Sequence, residues 1–402
     1  MQSIVVVGAS LAGCRAAEAL REEGFDGRVV LIGDEAHRPY DRPPLSKQVL
    51  AGTWSTDRIE LPAAGADLDL EWRLGTRATG LDLAARRVAL DTGEDLAFDG
   101  LVIATGATPR TVPVPDGMAG VHTLRTLDDC LALRADLERR PGRVVVVGAG
   151  FIGAEVAATC RERGAPVTMV EALPAPLARV LGEVIGGTCA DLHRDHGVDV
   201  RTGVGVAGLA GGSRVEQVQL DNGSAVDADV VVVGVGVTPL TGWLEGSGLT
   251  LEDGVVCDET CLAAPGVVAA GDVARWPNPT FGQMMRVEHW DNALDQGAHA
   301  ARTLLAGDGG GTAYAPVPWF WSDQYDRKLQ LAGRPGPGDE VRVVLGSLEE
   351  RRFVALFGRG GRVVAAFGMN RPAPIMRYRS RIAEGLEWDL ALSEAAAEAK
   401  AG

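Results

Sequence analysis

The run VVVVGAGFIG, Val144 to Gly153, carries glycines at 148, 150 and 153, and a carboxylate follows at Glu171. These residue types at this spacing suit a dinucleotide. Gly148 lets the chain turn sharply after a strand. Gly150 has no Cβ, so a pyrophosphate can approach the backbone. Gly153 lets the next helix pack closely on the strand, and that helix presents its positive N-terminus to the phosphates. Glu171 would accept hydrogen bonds from the adenosine ribose. Its charge also repels the extra phosphate of NADPH, which favours NADH, although Arg179 lies within reach of the adenosine end. Further on, Gly234 and Gly236 in GVGVTP would let a flat nicotinamide ring lie against backbone.

A second set of the same kind opens the chain. Gly8-Ala9-Ser10-Leu11-Ala12-Gly13 follows the strand SIVVV, and the acids Asp34 and Glu35 follow the next strand. Serine replaces the middle glycine at Ser10 and is small enough to leave room for phosphate. Gly271-Asp272 closes a later apolar strand, where glycine permits close approach and Asp272 can accept from a sugar hydroxyl. Two dinucleotide sets in one chain mean two dinucleotides, and the simplest chemistry joining them is hydride transfer from nicotinamide to flavin.

The elements that must position these residues are legible as a repeat. Each set reads strand, glycine turn, helix, strand, acidic tip. Each unit also ends in a β-meander and a buried strand that leads into a glycine turn. Residues 86–104 read as a hairpin turning at Thr92-Gly93, and a matching hairpin turns near Asp221-Asn222-Gly223. The first unit resumes with Val267 to Asp272 and a helix expected over 292–306. The expected fold class is α/β, with two Rossmann-like dinucleotide-binding domains, one inserted in the other. A C-terminal α+β domain follows, as in glutathione-reductase-like flavoproteins. The expected boundaries are 1–106 and 235–312 for the first domain, 107–234 for the inserted one and 313–402 for the last.

Bulk properties exclude several classes. The chain has 402 residues, 46% hydrophobic, with a net charge of −15, which argues against nucleic acid and anionic membranes as partners. No apolar run is long enough to cross a bilayer, and no basic region precedes the first strand, so neither an anchor nor a secretory signal is expected. The six cysteines are scattered and suit core thiols of a cytoplasmic protein. No metal site is expected. Residues 38–50 hold no cysteine and Cys160 stands alone, which argues against disulfide reduction.

The ordered series GASLAG, RPPLSK, ATGA, GAGFIGAE, GVGVTP, AAGD and PWFWSDQY resembles the bacterial FAD-dependent NADH:ferredoxin reductases of oxygenase systems, the putidaredoxin reductase-like family. The resemblance spans the whole chain. It implies that NADH reduces a non-covalent FAD, which passes single electrons to a 2Fe-2S ferredoxin serving a monooxygenase or dioxygenase. It places FAD at Gly8, Ser10, Ala12, Gly13, Asp34, Glu35, Arg42, Lys47, Ala78, Arg125, Gly271, Asp272, Glu288, Trp290 and Trp321. It places NAD at Gly148, Gly150, Ile152, Gly153, Glu171, Arg179, Gly234 and Gly236. Lys47 and Glu155 are the implied catalytic pair, with Lys47 near flavin N5 and Glu155 keeping it partnered. By residue type alone, Arg42 and Lys47 would read as solvated charges beside a turn. His289 stands where the family has a smaller residue.

Between Arg351 and Ala383 there are eight arginines and no acid, which suggests a face for an acidic ferredoxin. A monomer or weak dimer is expected. Two other readings stay open on sequence. One is a reductase of rubredoxin or another small carrier. The other is an apoptosis-inducing-factor-like flavoprotein with an assembly or signalling role.

Overall fold

The computed structural model describes residues 1–62, 67–139 and 142–401, which divide into two compact units. The first unit comprises Met1–Asp41, Asp57–Thr108 and Thr238–Pro318. Its six-stranded sheet has the order Leu262–Ala264, Val267–Ala269, Gly100–Ile103, Ser3–Val7, Arg28–Gly33, Leu70–Leu74. All neighbours are parallel except the first pair. Ile4, Val5 and Val6 are wholly buried. A continuous apolar run is what a parallel strand covered on both faces requires. Helices Leu11–Glu22 and Trp290–Ala306 pack through small residues. A Cβ on Gly297 would lie 2.4 Å from the Ala12 carbonyl oxygen.

The expected hairpin is present as Arg87–Leu90 and Asp95–Ala97, with Ala78–Asp82 as a third strand alongside. The helix expected from residue 292 begins at Trp290, with His289 as its extended N-cap residue. The two added residues are stabilised at the helix start. Asp291 puts a carboxylate near the positive helix end and accepts from the Asn292 amide at 2.9 Å.

The second unit comprises Arg42–Thr56, Pro109–Val237 and Trp319–Gly402. Its parallel sheet has the order Asp199–Thr202, Val167–Glu171, Val144–Val147, Val230–Val233, Val121–His122. The repeat read in the sequence therefore recurs in the topology. The glycine-loop strand lies between the acid-tipped strand and the strand after the meander in both units. The second unit also holds an antiparallel sheet, ordered Trp319–Gln324, Arg327–Gly333, Arg362–Met369, Arg352–Arg359, Glu340–Ser347. Leu181, before the break at Gly182 in the helical stretch Ala178–Asp195, and Ile185, Cys189 and Leu192 after it share a core with Leu329, Phe353, Phe357 and Phe367 of that sheet. The architecture is the expected α/β fold with paired parallel sheets and a C-terminal antiparallel sheet followed by helices Pro372–Ala383 and Trp388–Ala401. No described helix is long and apolar enough to cross a membrane.

Candidate active site

In the first unit the glycine turn is set by backbone packing. Gly8 has φ +121°, and a Cβ there would fall 2.1 Å from the Ala104 carbonyl oxygen. A Cβ on Gly13 would fall 1.9 Å from the Gly8 carbonyl oxygen. Ser10 is the N-cap residue of Leu11–Glu22. Two sequence-distant motifs meet this turn. Gly271 lies against Ala12, whose methyl would be 3.0 Å from an added Cβ, and Gly33 lies against Ala9 in the same way at 2.7 Å. The tip acids follow Gly33, with Asp34 exposed and Glu35 accepting from the Tyr40 hydroxyl. The Gly271 amide donates to buried Gln296 at 2.9 Å. Asp272 is half-buried and lends its carbonyl to Arg286, which pairs with Glu288 at 2.6 Å. Trp290 donates its indole N–H to Asp41 at 2.7 Å. Ala78 is buried at the start of its strand.

In the second unit, Gly148 has φ +95° and a Cβ on it would meet the Gly234 carbonyl oxygen at 2.4 Å. Gly153 meets the Gly148 carbonyl oxygen at 2.2 Å by the same construction. Gly150 differs. Its φ of −71° suits any residue, and the nearest atom to an added Cβ is 4.0 Å away. Gly148 and Gly153 are thus required by the fold, whereas Gly150 leaves open space at a helix N-terminus. This is the shape a pyrophosphate needs, so the residues present fit a dinucleotide. Glu171 accepts from the Ala149 amide and from the Leu173 amide, each at 2.9 Å, and so braces the loop. Ile152 is half exposed, Arg179 is exposed, and Gly236 has φ +99°.

The second unit also assembles a buried ion pair from residues distant in sequence. Helix Phe151–Glu162 presents Phe151, Glu155, Thr159 and, just past its end, Arg163 along one face, each one turn from the last. The Phe151 ring meets Phe320 edge-on at 4.4 Å. One turn along, Glu155 accepts from the Ser322 hydroxyl at 2.8 Å. Thr159 donates to the Ser46 carbonyl at 2.8 Å, and Arg163 donates to the Leu50 carbonyl at 2.9 Å. This face therefore grips both the C-terminal sheet and the segment carrying Lys47. That segment is a 3₁₀ turn, Pro43–Ser46, started by two prolines whose fixed φ suits it. Lys47 Nζ lies 2.6 Å from Glu155 Oε2, with 13% and 4% of the two side chains exposed. Ser46 donates to the same carboxylate oxygen. Arg42 donates to the Arg125 carbonyl at 2.7 Å. Trp321 packs against Trp319 with ring centres 5.2 Å apart.

The sequence reading overlooked Ser46, Ser322, Gln324 and His193. The signal lay in WFWSDQ. Period-2 alternation puts Trp319 and Trp321 on one face and Phe320, Ser322 and Gln324 on the other, and Ser322 and Gln324 are buried polar residues.

All six cysteines are free and buried. Burial pushes the thiols of Cys14, Cys160, Cys189 and Cys261 up to about 12 and that of Cys130 to about 11. Thiols of this kind are not nucleophiles at neutral pH. Among the described residues no cluster of His, Cys, Asp or Glu could hold a metal. The arginine-rich segment is partly neutralised by acids outside it. Arg351 pairs with Asp195, Arg359 with Asp339, Arg377 with Glu398 and Arg381 with Glu394.

Residues 2–297 match the pyridine nucleotide-disulphide oxidoreductase family and residues 319–399 match a reductase C-terminal domain. The chain is 38% identical to rhodocoxin reductase of Rhodococcus erythropolis, over 95% of this chain and 89% of that protein. It is 41% identical to the ferredoxin–NAD(+) reductase component of the anthranilate 1,2-dioxygenase system of Burkholderia cepacia, over 95% and 94%. Putidaredoxin reductase, solved as its covalent complex with putidaredoxin, superposes with a TM-score of 0.90 at 33% identity, covering 100% and 99% of the two chains.

Proposed function

The chain belongs to the pyridine nucleotide-disulphide oxidoreductase family, and from that premise we propose that it is an FAD-dependent NADH:ferredoxin reductase of an oxygenase system. The observation that carries this reading is the similarity along almost the whole chain to reductases named for ferredoxin partners. Bound FAD supplies the conversion of one hydride from NADH into two single-electron transfers to a 2Fe-2S ferredoxin.

The protein's part is binding, orientation and charge. Residues 1–106 and 235–312 act as the FAD-binding domain, 107–234 as the NAD-binding domain and 313–402 as the flavin cover and ferredoxin dock. Gly8, Ser10, Ala12 and Gly13 receive the FAD pyrophosphate, and Asp34 or Glu35 takes its ribose. Arg42, Ala78, Arg125, Gly271, Asp272, Glu288, Trp290 and Trp321 complete the FAD contacts. Gly148, Gly150, Ile152 and Gly153 receive NADH, with Glu171 and Arg179 at the adenosine end and Gly234 and Gly236 at the nicotinamide end. Lys47 supplies positive charge where negative charge builds on reduction. Glu155 holds that ammonium, because an unpaired buried charge would be costly. The buried thiols suit a cytoplasmic protein, and we infer a monomer or weak dimer.

The test combines the FAD-loaded protein with NADH and cytochrome c, with and without a bacterial 2Fe-2S ferredoxin. Cytochrome c reduction rises steeply only with ferredoxin if the reading is right. Rapid flavin bleaching with no ferredoxin effect would leave the NADH half standing and overturn the acceptor. Flavin that stays oxidised under NADH would overturn both.

A further inference from the structure

A chain of buried polar groups stands behind the Lys47–Glu155 pair, and its residues have no part in the function described so far. Ser322 is fully buried and donates its only hydroxyl proton to Glu155 Oε1 at 2.8 Å. The serine oxygen must then act as an acceptor, and Gln324 Nε2 lies 3.1 Å away to donate to it. This fixes the orientation of the Gln324 amide. Its Oε1 is buried without a hydrogen-bond partner, and so is His193 Nε2, which belongs to the side chain beside it. His193 and Gln324 are each 1% exposed. At its other nitrogen, Nδ1, His193 meets the Tyr325 hydroxyl at 2.9 Å. Burial is the main cause holding His193 down at about 4, so the imidazole is neutral at the end of the chain.

The donors of Gln324 and Ser322 thus run in one direction, toward one carboxylate. Glu155 meets Ser322 on one oxygen and Lys47 and Ser46 on the other. Ionised carboxylates accept strongly and in defined directions. A Glu side chain has three rotatable bonds, and the Lys47 contact alone leaves it free to rotate with its partner. A second anchor on the other oxygen removes that freedom. Ser322 and Gln324 sit two apart on one strand, so a single rigid sheet edge delivers both.

We propose that Ser322 and Gln324 are positioning residues that lock the Glu155 carboxylate and thereby hold the Lys47 ammonium in one place for the flavin. This rests on the reading that the chain binds FAD and that Lys47 acts on it. The reason for polar residues on a buried strand face is then electrostatic preorganisation. A charge already fixed before reduction costs no reorganisation during it.

The experiment compares Ser322→Ala, Ser322→Thr and Gln324→Leu with the parent, all FAD-loaded. Three quantities are read: the two-electron flavin midpoint potential by dithionite titration, the limiting rate of flavin reduction at saturating NADH, and the NADH concentration at half-saturation. Ser322→Ala is expected to disfavour the reduced flavin about ten-fold, which is about 30 mV for a two-electron couple. It should slow the limiting rate by a similar factor and leave half-saturation unchanged. Ser322→Thr keeps the hydroxyl and restores both. Gln324→Leu shifts the potential in the same direction by less, and it decides the matter if Ser322→Ala fails to fold. A Ser322→Ala protein that melts earlier but keeps its potential and limiting rate would overturn the proposal, as would a change in half-saturation alone. The dithionite titration needs no NADH. A parent protein that NADH does not reduce would therefore sink the functional reading while the potentials still judged the positioning role.

Discussion

At the scale of single residues the chemistry concentrates on Lys47. Its ammonium is almost wholly removed from water and has a carboxylate at 2.6 Å. A charge-assisted contact of this kind contributes roughly 1.5–3 kcal/mol. Lys47→Ala should therefore slow flavin reduction by NADH by about ten- to hundred-fold. Stopped-flow absorbance of the flavin reads this directly, and an unchanged rate would remove Lys47 from the mechanism.

His193 makes a separate prediction about stability. Its pKa falls from 6.5 unfolded to about 4 folded, chiefly through burial, with Gln324 opposing and the neighbouring His196 assisting. Below pH 6.5 the unfolded chain binds the extra proton and the folded chain does not. Stability is thus full above pH 6.5 and is lost as pH falls toward 4, by roughly 3 kcal/mol in all. Tyr325, on the other side of the ring, stays neutral because burial raises its phenol. Melting temperatures taken across this window should fall less steeply with acid in His193→Gln than in the parent. Parallel curves would show that His193 is not the group responsible.

At the scale of elements, the two glycine loops divide into positions the fold needs and a position a ligand needs. Gly148→Ala places a Cβ 2.4 Å from the Gly234 carbonyl oxygen in a backbone with φ +95°. It should destabilise the protein outright. The Cβ of Gly150→Val comes no closer than 4.0 Å to any non-neighbouring atom, the nearest being the Gly234 carbonyl oxygen, and the position requires no unusual φ. It should melt within a degree or two of the parent, since surface changes of this kind stay near 0.5 kcal/mol. It should also raise the half-saturating NADH concentration by about ten-fold or more, because the side chain fills the space left for the pyrophosphate. Unchanged NADH affinity in a folded Gly150→Val protein would place the pyrophosphate elsewhere. Both loops were legible in the sequence because strand, turn and helix are consecutive there. The two-residue earlier start at Trp290 was not, because the helix's apolar spacing is carried by later residues and its start depends on a local Asp291 contact.

At the scale of the whole molecule, the charge balance bears on the partner. The chain carries −15 overall, so an acidic ferredoxin needs a local basic face. Of the eight arginines in the 351–383 segment, Arg351, Arg359, Arg377 and Arg381 pair with acids, Arg352 and Arg362 are exposed, and Arg379 rests over the Trp319 ring at 5.9 Å. Exposed pairs such as Arg377–Glu398 contribute little to stability and can exchange partners. The double variant Arg377→Glu, Arg379→Glu should raise the Michaelis constant for ferredoxin several-fold and leave ferricyanide reduction intact, as rim charges act on association. Equal rates with ferredoxin in variant and parent would remove this face from docking.

By itself the sequence determined the two strand–turn–helix–strand units, their nesting and the scattered thiols. Each of these follows from residues close together along the chain, where glycine spacing and apolar periodicity act directly on local backbone geometry. Tertiary structure alone decided what surrounds Glu155. Its partners arrive from residues 46–47 and from 322, with Gln324 behind Ser322, so no local pattern records their meeting. The ion pair could be named from a family resemblance. The buried serine, glutamine and histidine behind it emerged only when one helix face packed against two distant segments and took their polar groups out of water.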